Sequence, residues 1–190
     1  MSEIEWAAVV LGVINVVLVV RRSVWNYPFG LAMVALYLVV FYEARLYSDA
    51  LLQIFFFVVQ IYGWRNWVAA KGRVGEVPVG TMPSRDRAIW LFGTAVASGA
   101  WGIAMARLTD AAAPLVDAGV AGTSVAAQIL MARRRVESWS LWSLVDVVAI
   151  GLYWSRDLRA TSLLYALFLV LSIVGLIGWA RALRDDEVAA

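Results

Sequence analysis

The 190-residue chain contains no cysteine and no histidine. No disulfide, thiolate metal centre or cysteine nucleophile can be built from it, and the commonest metal ligand and neutral-pH proton shuttle are missing as well. Zinc, haem and most redox readings fall away. Charge is scarce too: charged residues make up 16% of the chain, the net charge is +2, and Lys71 is the lone lysine. The basic residues stand in short clusters between apolar runs rather than along one face, which gives no support to nucleic-acid binding. A retinal Schiff base needs a lysine inside a helix, and Lys71 is expected in a loop. A metal hydrolase or a paired-acid protease needs ligands or acids that the spans do not supply. The expectation is a protein that is not an enzyme and needs neither cofactor nor metal.

What the chain has instead is apolar length. Hydrophobic residues make up 63% of it and the mean hydropathy is +0.77, outside the range of a soluble domain of this size. About 20 apolar residues cross a bilayer. The pattern accordingly predicts helices over Trp6 to Val20, Tyr27 to Tyr42, Ser48 to Val68, Arg87 to Ala106, Pro114 to Met131, Trp139 to Ser155 and Ala160 to Ala182. The first run reads as a retained helix rather than a cleaved leader, because Glu3 and Glu5 precede it and Arg21 and Arg22 end it. The fold class is an all-α membrane protein with seven transmembrane helices.

Arg21 to Trp67 can be laid on Arg133 to Trp179 without a gap, and Arg21/Arg133, Arg22/Arg134, Leu51/Leu163, Leu52/Leu164, Phe56/Phe168, Gly63/Gly175 and Trp67/Trp179 coincide. The helices therefore fall into three, one and three. After three spans the chain has changed sides and a fourth returns it, so the second triplet starts where the first did and the repeats run parallel. The expected division is a three-helix repeat over 1–70, a linker loop and connecting helix over 71–110, and a second three-helix repeat over 111–190. The loop from Lys71 to Arg85 holds Gly72, Gly75, Pro78, Gly80 and Pro83, and is the natural boundary. Duplicated membrane units with a substrate site between them are a common transporter plan. Gly93, Ser98, Gly99 and Gly102 on the connecting helix suit close packing against a repeat or another subunit. Of the Lys and Arg residues near helix ends, 12 lie on one side (Arg21, Arg22, Arg65, Lys71, Arg73, Arg85, Arg87, Arg133, Arg134, Arg135, Arg181, Arg184) and 4 on the other (Arg45, Arg107, Arg156, Arg159). That asymmetry puts the N-terminus outside and the C-terminus in the cytoplasm. Binding of anionic lipid is the competing use of the inner arginines.

Several side chains inside the spans are too polar or too aromatic for lipid-facing filler. Trp139, Trp142, Asp146 and Tyr153 fall on one stripe of the sixth helix, a receptor suited to a flat cation, since indole faces attract positive rings by roughly 0.5–2 kcal/mol. The competing reading is an interfacial aromatic belt, Trp139 being the more belt-like. Asp146 lies well inside its span, where an unpaired charge costs several kcal/mol; it either contacts a ligand or accepts a hydrogen bond from Ser or Gln on a neighbouring helix. Asp49, Gln53, Gln60 and Trp64 share a face of the third helix, and Gln suits an amide and ribose hydroxyls because it donates and accepts. Interhelical bonding is its other use, as it is for Asn15 and for Gln128 on the fifth helix, while Asp49 reads as a cap. Tyr37, Phe41, Tyr165 and Phe168 line the same cavity, belong to the core or face lipid.

Three segments carry a resemblance: Trp25-Asn-Tyr-Pro-Phe-Gly30, the run Phe41 to Gln53 with Gln60-Ile-Tyr-Gly-Trp64, and Glu137 to Asp146. Across almost the whole chain it resembles the PnuC family of vitamin transporters, whose motif of Glu, any residue, Trp, two residues and Trp falls on Glu137, Trp139 and Trp142. The resemblance implies a SWEET-like three-one-three architecture, a homotrimer in the membrane, and facilitated diffusion of nicotinamide riboside across a bacterial inner membrane with trapping by a cytoplasmic kinase. Ser138 stands where many nicotinamide riboside members carry Asn. The family also has branches for thiamine, riboflavin and deoxynucleosides, and the residues themselves do not separate nicotinamide riboside from thiamine, both flat cations with hydroxyls.

Overall fold

A computed structural model of the chain describes residues 3–43, 47–72, 77–108, 113–155 and 159–189. Among these residues the helices are α1 (Glu3–Val20), α2 (Asn26–Glu43), α3 (Tyr47–Lys71), α4 (Ser84–Leu108), α5 (Pro114–Ala132), α6 (Glu137–Ser155) and α7 (Arg159–Ala189). Each expected helix is present. Arg45, Arg73, Arg156 and the side chain of Asp49 lie outside what is described. Two C-terminal boundaries differ from expectation. α3 continues to Lys71, so the lysine sits in a last helical turn rather than a loop, where its charge complements the negative end of the helix dipole. α7 runs past Ala182 to Ala189, where Leu183, Arg184 and Glu187 favour helix without the stretch being apolar. Five helices are long and apolar enough to cross a membrane, and α3 and α6 are not among them. Those two carry the Gln, Asp, Ser and Trp residues singled out above.

α1 packs on α2, α2 on α3, α3 on α5, α5 on α6, α6 on α7, and α7 on α1. The result is a closed ring of six helices. α4 lies outside it and packs on α5: a Cβ on Gly102 would meet Leu115 and Ala118, and Ser98 fills the space over Gly122. Gly93 and Gly99 face open space instead, so half of the expected small-residue stripe is used within the chain.

The duplication reappears bond by bond at the turns α1–α2 and α5–α6. Arg22 N–H donates to Val19 O and Ser23 N–H to Leu18 O; Arg134 N–H donates to Met131 O and Arg135 N–H to Leu130 O. Arg22 and Arg134 both take left-handed backbone, φ 53° and 61°. Asn26 Nδ2 donates to Ser23 O at 2.7 Å, and at the matching position Ser138 Oγ donates to Arg135 O at 2.7 Å. Both turns feed one buried cluster of Val19, Tyr27, Trp67, Val77, Met131, Val136, Trp139 and Trp179. The two turns are thus at the same end of the ring, as parallel repeats require. Within the cluster the repeats exchange one bond in each direction: Trp67 Nε1 donates to Met131 O at 3.2 Å and Trp179 Nε1 to Val19 O at 3.3 Å. Tyr27 meets Trp67 edge-on, and Trp139 meets Trp179 edge-on, both with centroids 5.5 Å apart.

This aromatic plug draws a side chain from every helix of the ring. Its packing leaves no room at Gly175, where a Cβ would lie 2.5–2.6 Å from the Trp139 ring. Gly175→Ala is expected to destabilise the chain by about 1–3 kcal/mol, the usual cost of overpacking. A thermal melt in detergent checks this, and an unchanged midpoint would mean that the plug is looser than described. The linker before α4 also reaches the plug. Val77 is fully buried, Gly80 N–H donates to Arg134 O and Val136 N–H to Gly80 O, both at 3.0 Å.

Candidate functional site

α2 and α6 do not pack on each other, yet Tyr37 on α2 lies within electrostatic reach of Tyr153 on α6. Both side chains therefore look into the middle of the ring. Tyr153 stacks on Tyr165 of α7 with centroids 5.3 Å apart, Tyr165 meets Phe168 edge-on, and Tyr37 stacks on Phe41. The aromatic residues expected to line a common cavity from α2, α6 and α7 converge in this way.

Below them the interior is polar. Asp146 is buried and accepts a hydrogen bond from Ser172 Oγ of α7 at 3.0 Å. Gln53 and Gln60 are buried on α3, and Gln60 with Asn15 of α1 occupies the space over Gly30 of α2 that a Cβ would need. Asn15 Nδ2 donates to Asn26 O at 2.7 Å, so its packing role is realised. The α6 stripe behaves as its spacing predicts: Trp139 and Asp146 are buried, and Trp142 and Tyr153 are half-buried. Trp142 packs against the margin of the plug.

Two expected residues sit differently from their partners. Trp64 is 37% exposed and stacks on Tyr27, so it departs from the burial of Gln53 and Gln60 although the helical spacing is right. Gln128 is half-buried on α5. Trp139 is not a belt residue: it is 1% exposed in the plug.

The three plug indoles differ in one respect. Trp67 and Trp179 donate their N–H to carbonyls, whereas Trp139 Nε1 is buried with no hydrogen-bond partner in the described chain, and so is Ser143 Oγ one turn further along α6. A buried orphan donor costs about 1–3 kcal/mol and calls for an explanation. Two on one helix, between the plug and Asp146, form an unused donor pair beside the only carboxylate of α6 below its first turn. Ser143 and Ser172 were missed in the sequence because serine is common in membrane helices and only the packing shows which hydroxyl has an internal partner. Trp139→Phe removes the N–H together with the part of the indole that lies over Gly175. Stability is expected to fall by about 1–3 kcal/mol from the space left, and substrate binding by the folded variant to weaken about 10-fold; lost stability with intact binding would make the indole structural.

Ser138 resolves the one departure from the expected motif. It is fully buried and points at the turn rather than the ring interior, donating to Arg135 O as Asn26 donates to Ser23 O. Asn and Ser make the same turn bond at this position in the two repeats.

Known proteins match this arrangement along its length. The model of a family described as nicotinamide mononucleotide transporter matches residues 2–181. The nicotinamide riboside transporter PnuC of Escherichia coli (strain K12) is 28% identical, over 97% of this chain and 88% of its own. The riboflavin/roseoflavin transporter RibM of Streptomyces davaonensis is 29% identical, over 98% and 90%. The crystal structure of a vitamin B3 transporter PnuC superposes with a TM-score of 0.75 at 28% identity, covering 94% of this chain and 81% of that one. These relatives are transporters, not enzymes, the solved one shares the overall fold of this chain, and this chain belongs to the nicotinamide mononucleotide transporter family.

Proposed function

We propose that this chain carries nicotinamide riboside across a bacterial inner membrane by facilitated diffusion, with a cytoplasmic kinase trapping the product. The observation that carries the reading is the buried Asp146, set beside indoles and unpartnered donors inside a closed ring. The carboxylate offsets the pyridinium charge, Trp139 and Trp142 supply aromatic faces, and Gln53, Gln60 and the Tyr37, Tyr153 pair supply partners for amide and ribose hydroxyls. Gln128 and Trp64 serve at the periphery of the same path. In this reading the units 1–70 and 111–190 rock about the site, the N-terminus is outside, the aromatic plug is the cytoplasmic barrier, and the outward face of α4, with Phe92 and Trp101, is left for lipid or for the contacts of a homotrimer.

No ion is needed to drive such a cycle. Purified protein in liposomes is expected to equilibrate radiolabelled nicotinamide riboside at the same rate with and without ionophores; uptake that disappears when gradients are collapsed would overturn the uniport. A riboflavin carrier is the second reading, favoured by the match to RibM. Riboflavin is neutral, so its binding would be indifferent to the charge of Asp146.

A further inference from the structure

The two equivalent turns differ in three ways, and the differences meet at one place. Arg21 and Arg22 are followed by Ser23, whereas Arg133 and Arg134 are followed by a third arginine, Arg135. The second turn is crossed by the linker through the bonds of Gly80. Linker and turn together border a half-open cavity of about 200 Å³ lined by Pro78, Val79, Gly80, Arg133, Arg134 and Arg135. The first turn makes the same backbone bonds with two arginines. Neither the turn nor the membrane orientation therefore requires the third arginine or the cavity.

The three guanidinium groups have no carboxylate partner among the described residues. Arg133 lies over the Trp90 ring at 5.7 Å, and Arg134 and Arg135 donate to the carbonyls of Pro78 at 3.1 Å and Thr81 at 2.8 Å. Glu137, the nearby acid, accepts at Oε1 from Arg87 Nε at 2.8 Å and from Met82 N–H at 2.9 Å, and its Oε2 is buried with no hydrogen-bond partner among the described residues. Arg134 Nε is buried with no partner. Burial first, and the charge of Arg135 second, pull the Arg134 guanidinium below its usual range, the mark of a place where more positive charge is disfavoured and an anion is welcome. Gly80 leaves the Arg135 guanidinium room to lie against the backbone, since a Cβ there would come within 3.0 Å of it.

We propose that this cavity binds a phosphate-type oxyanion, either free in solution or on a lipid headgroup. Guanidinium forks match such oxygens in pairs. The bound anion ties the 77–82 linker to the α5–α6 turn.

The full-length protein tests this in two arms. Purified in a zwitterionic detergent, it is titrated with inorganic phosphate against chloride at constant ionic strength; in nanodiscs, its melting point is compared between phosphatidylglycerol and phosphatidylcholine. Arg135→Ser, the residue the first repeat has here, and Arg133→Gln, whose guanidinium lies over the Trp90 ring, are run alongside. We expect phosphate to bind at least fivefold more weakly to either variant if the anion is soluble, or the phosphatidylglycerol stabilisation to vanish in both if it is a lipid headgroup. No specific response in either arm, or responses equal in wild type and both variants, overturns the proposal.

Discussion

Asp146→Asn is expected to weaken nicotinamide riboside binding by at least ~2 kcal/mol, about 30-fold, because removing one partner of a buried charge pair costs roughly 2–5 kcal/mol. Asn keeps the shape, so the packing of α6 on α7 is retained, and its amide oxygen still accepts from Ser172 Oγ, which the wild-type carboxylate meets at 3.0 Å. The charge alone changes. Calorimetric titration of wild type and variant measures the effect, and thermal melts exclude a folding defect. A variant that binds the cation as tightly as wild type would reduce Asp146 to the interhelical acceptor that its serine bond already makes it. Comparison with Ser172→Ala separates the two roles: that change removes one neutral hydrogen bond, about 1 kcal/mol, and leaves the charge.

Trp179→Ala is expected to be the most destabilising single change, at about 3–5 kcal/mol. The indole is fully buried between Trp67 and Trp139, and its loss also removes its bond to the carbonyl of Val19 on the opposite repeat, which is left with the Arg22 N–H alone. Trp67→Ala is the same experiment performed on the other half. Besides the fallen melting point, the plug should leak. The chain has no native cysteine, so a single Ser143→Cys is a clean probe. It should be inert to a membrane-impermeant maleimide added from the plugged side and reactive once Trp179→Ala is combined with it. Equal labelling in both backgrounds would mean that the plug does not close the ring.

Helices were legible because apolar runs of membrane length are punctuated by charges. The bounds differ where polar residues extend a helix beyond its apolar part, at the ends of α3 and α7 and at the starts of α1 and α4. The parallel repeats followed from parity, and the paired turns with their exchanged tryptophan bonds agree with them. The placing of side chains on one face was legible where helical spacing alone decides, as for Trp139, Trp142, Asp146 and Tyr153. It was not where neighbours decide. Spacing grouped Trp64 with Gln60, but Trp64 stacks on Tyr27 from the adjacent helix. Nor does spacing reveal that Trp139 Nε1 and Ser143 Oγ lack partners while two identical indoles have them. Ser138 gained its meaning only when Asn26, its counterpart in the first repeat, was seen to make the same bond.

The most direct measurement of the central claim is a tryptophan-fluorescence or calorimetric titration of the purified chain with nicotinamide riboside, thiamine and riboflavin side by side. The buried carboxylate and its aromatic surroundings predict saturable binding of nicotinamide riboside, with riboflavin at least ~100-fold weaker for want of a charge to meet Asp146. Tight riboflavin binding with none of the cation would contradict the account.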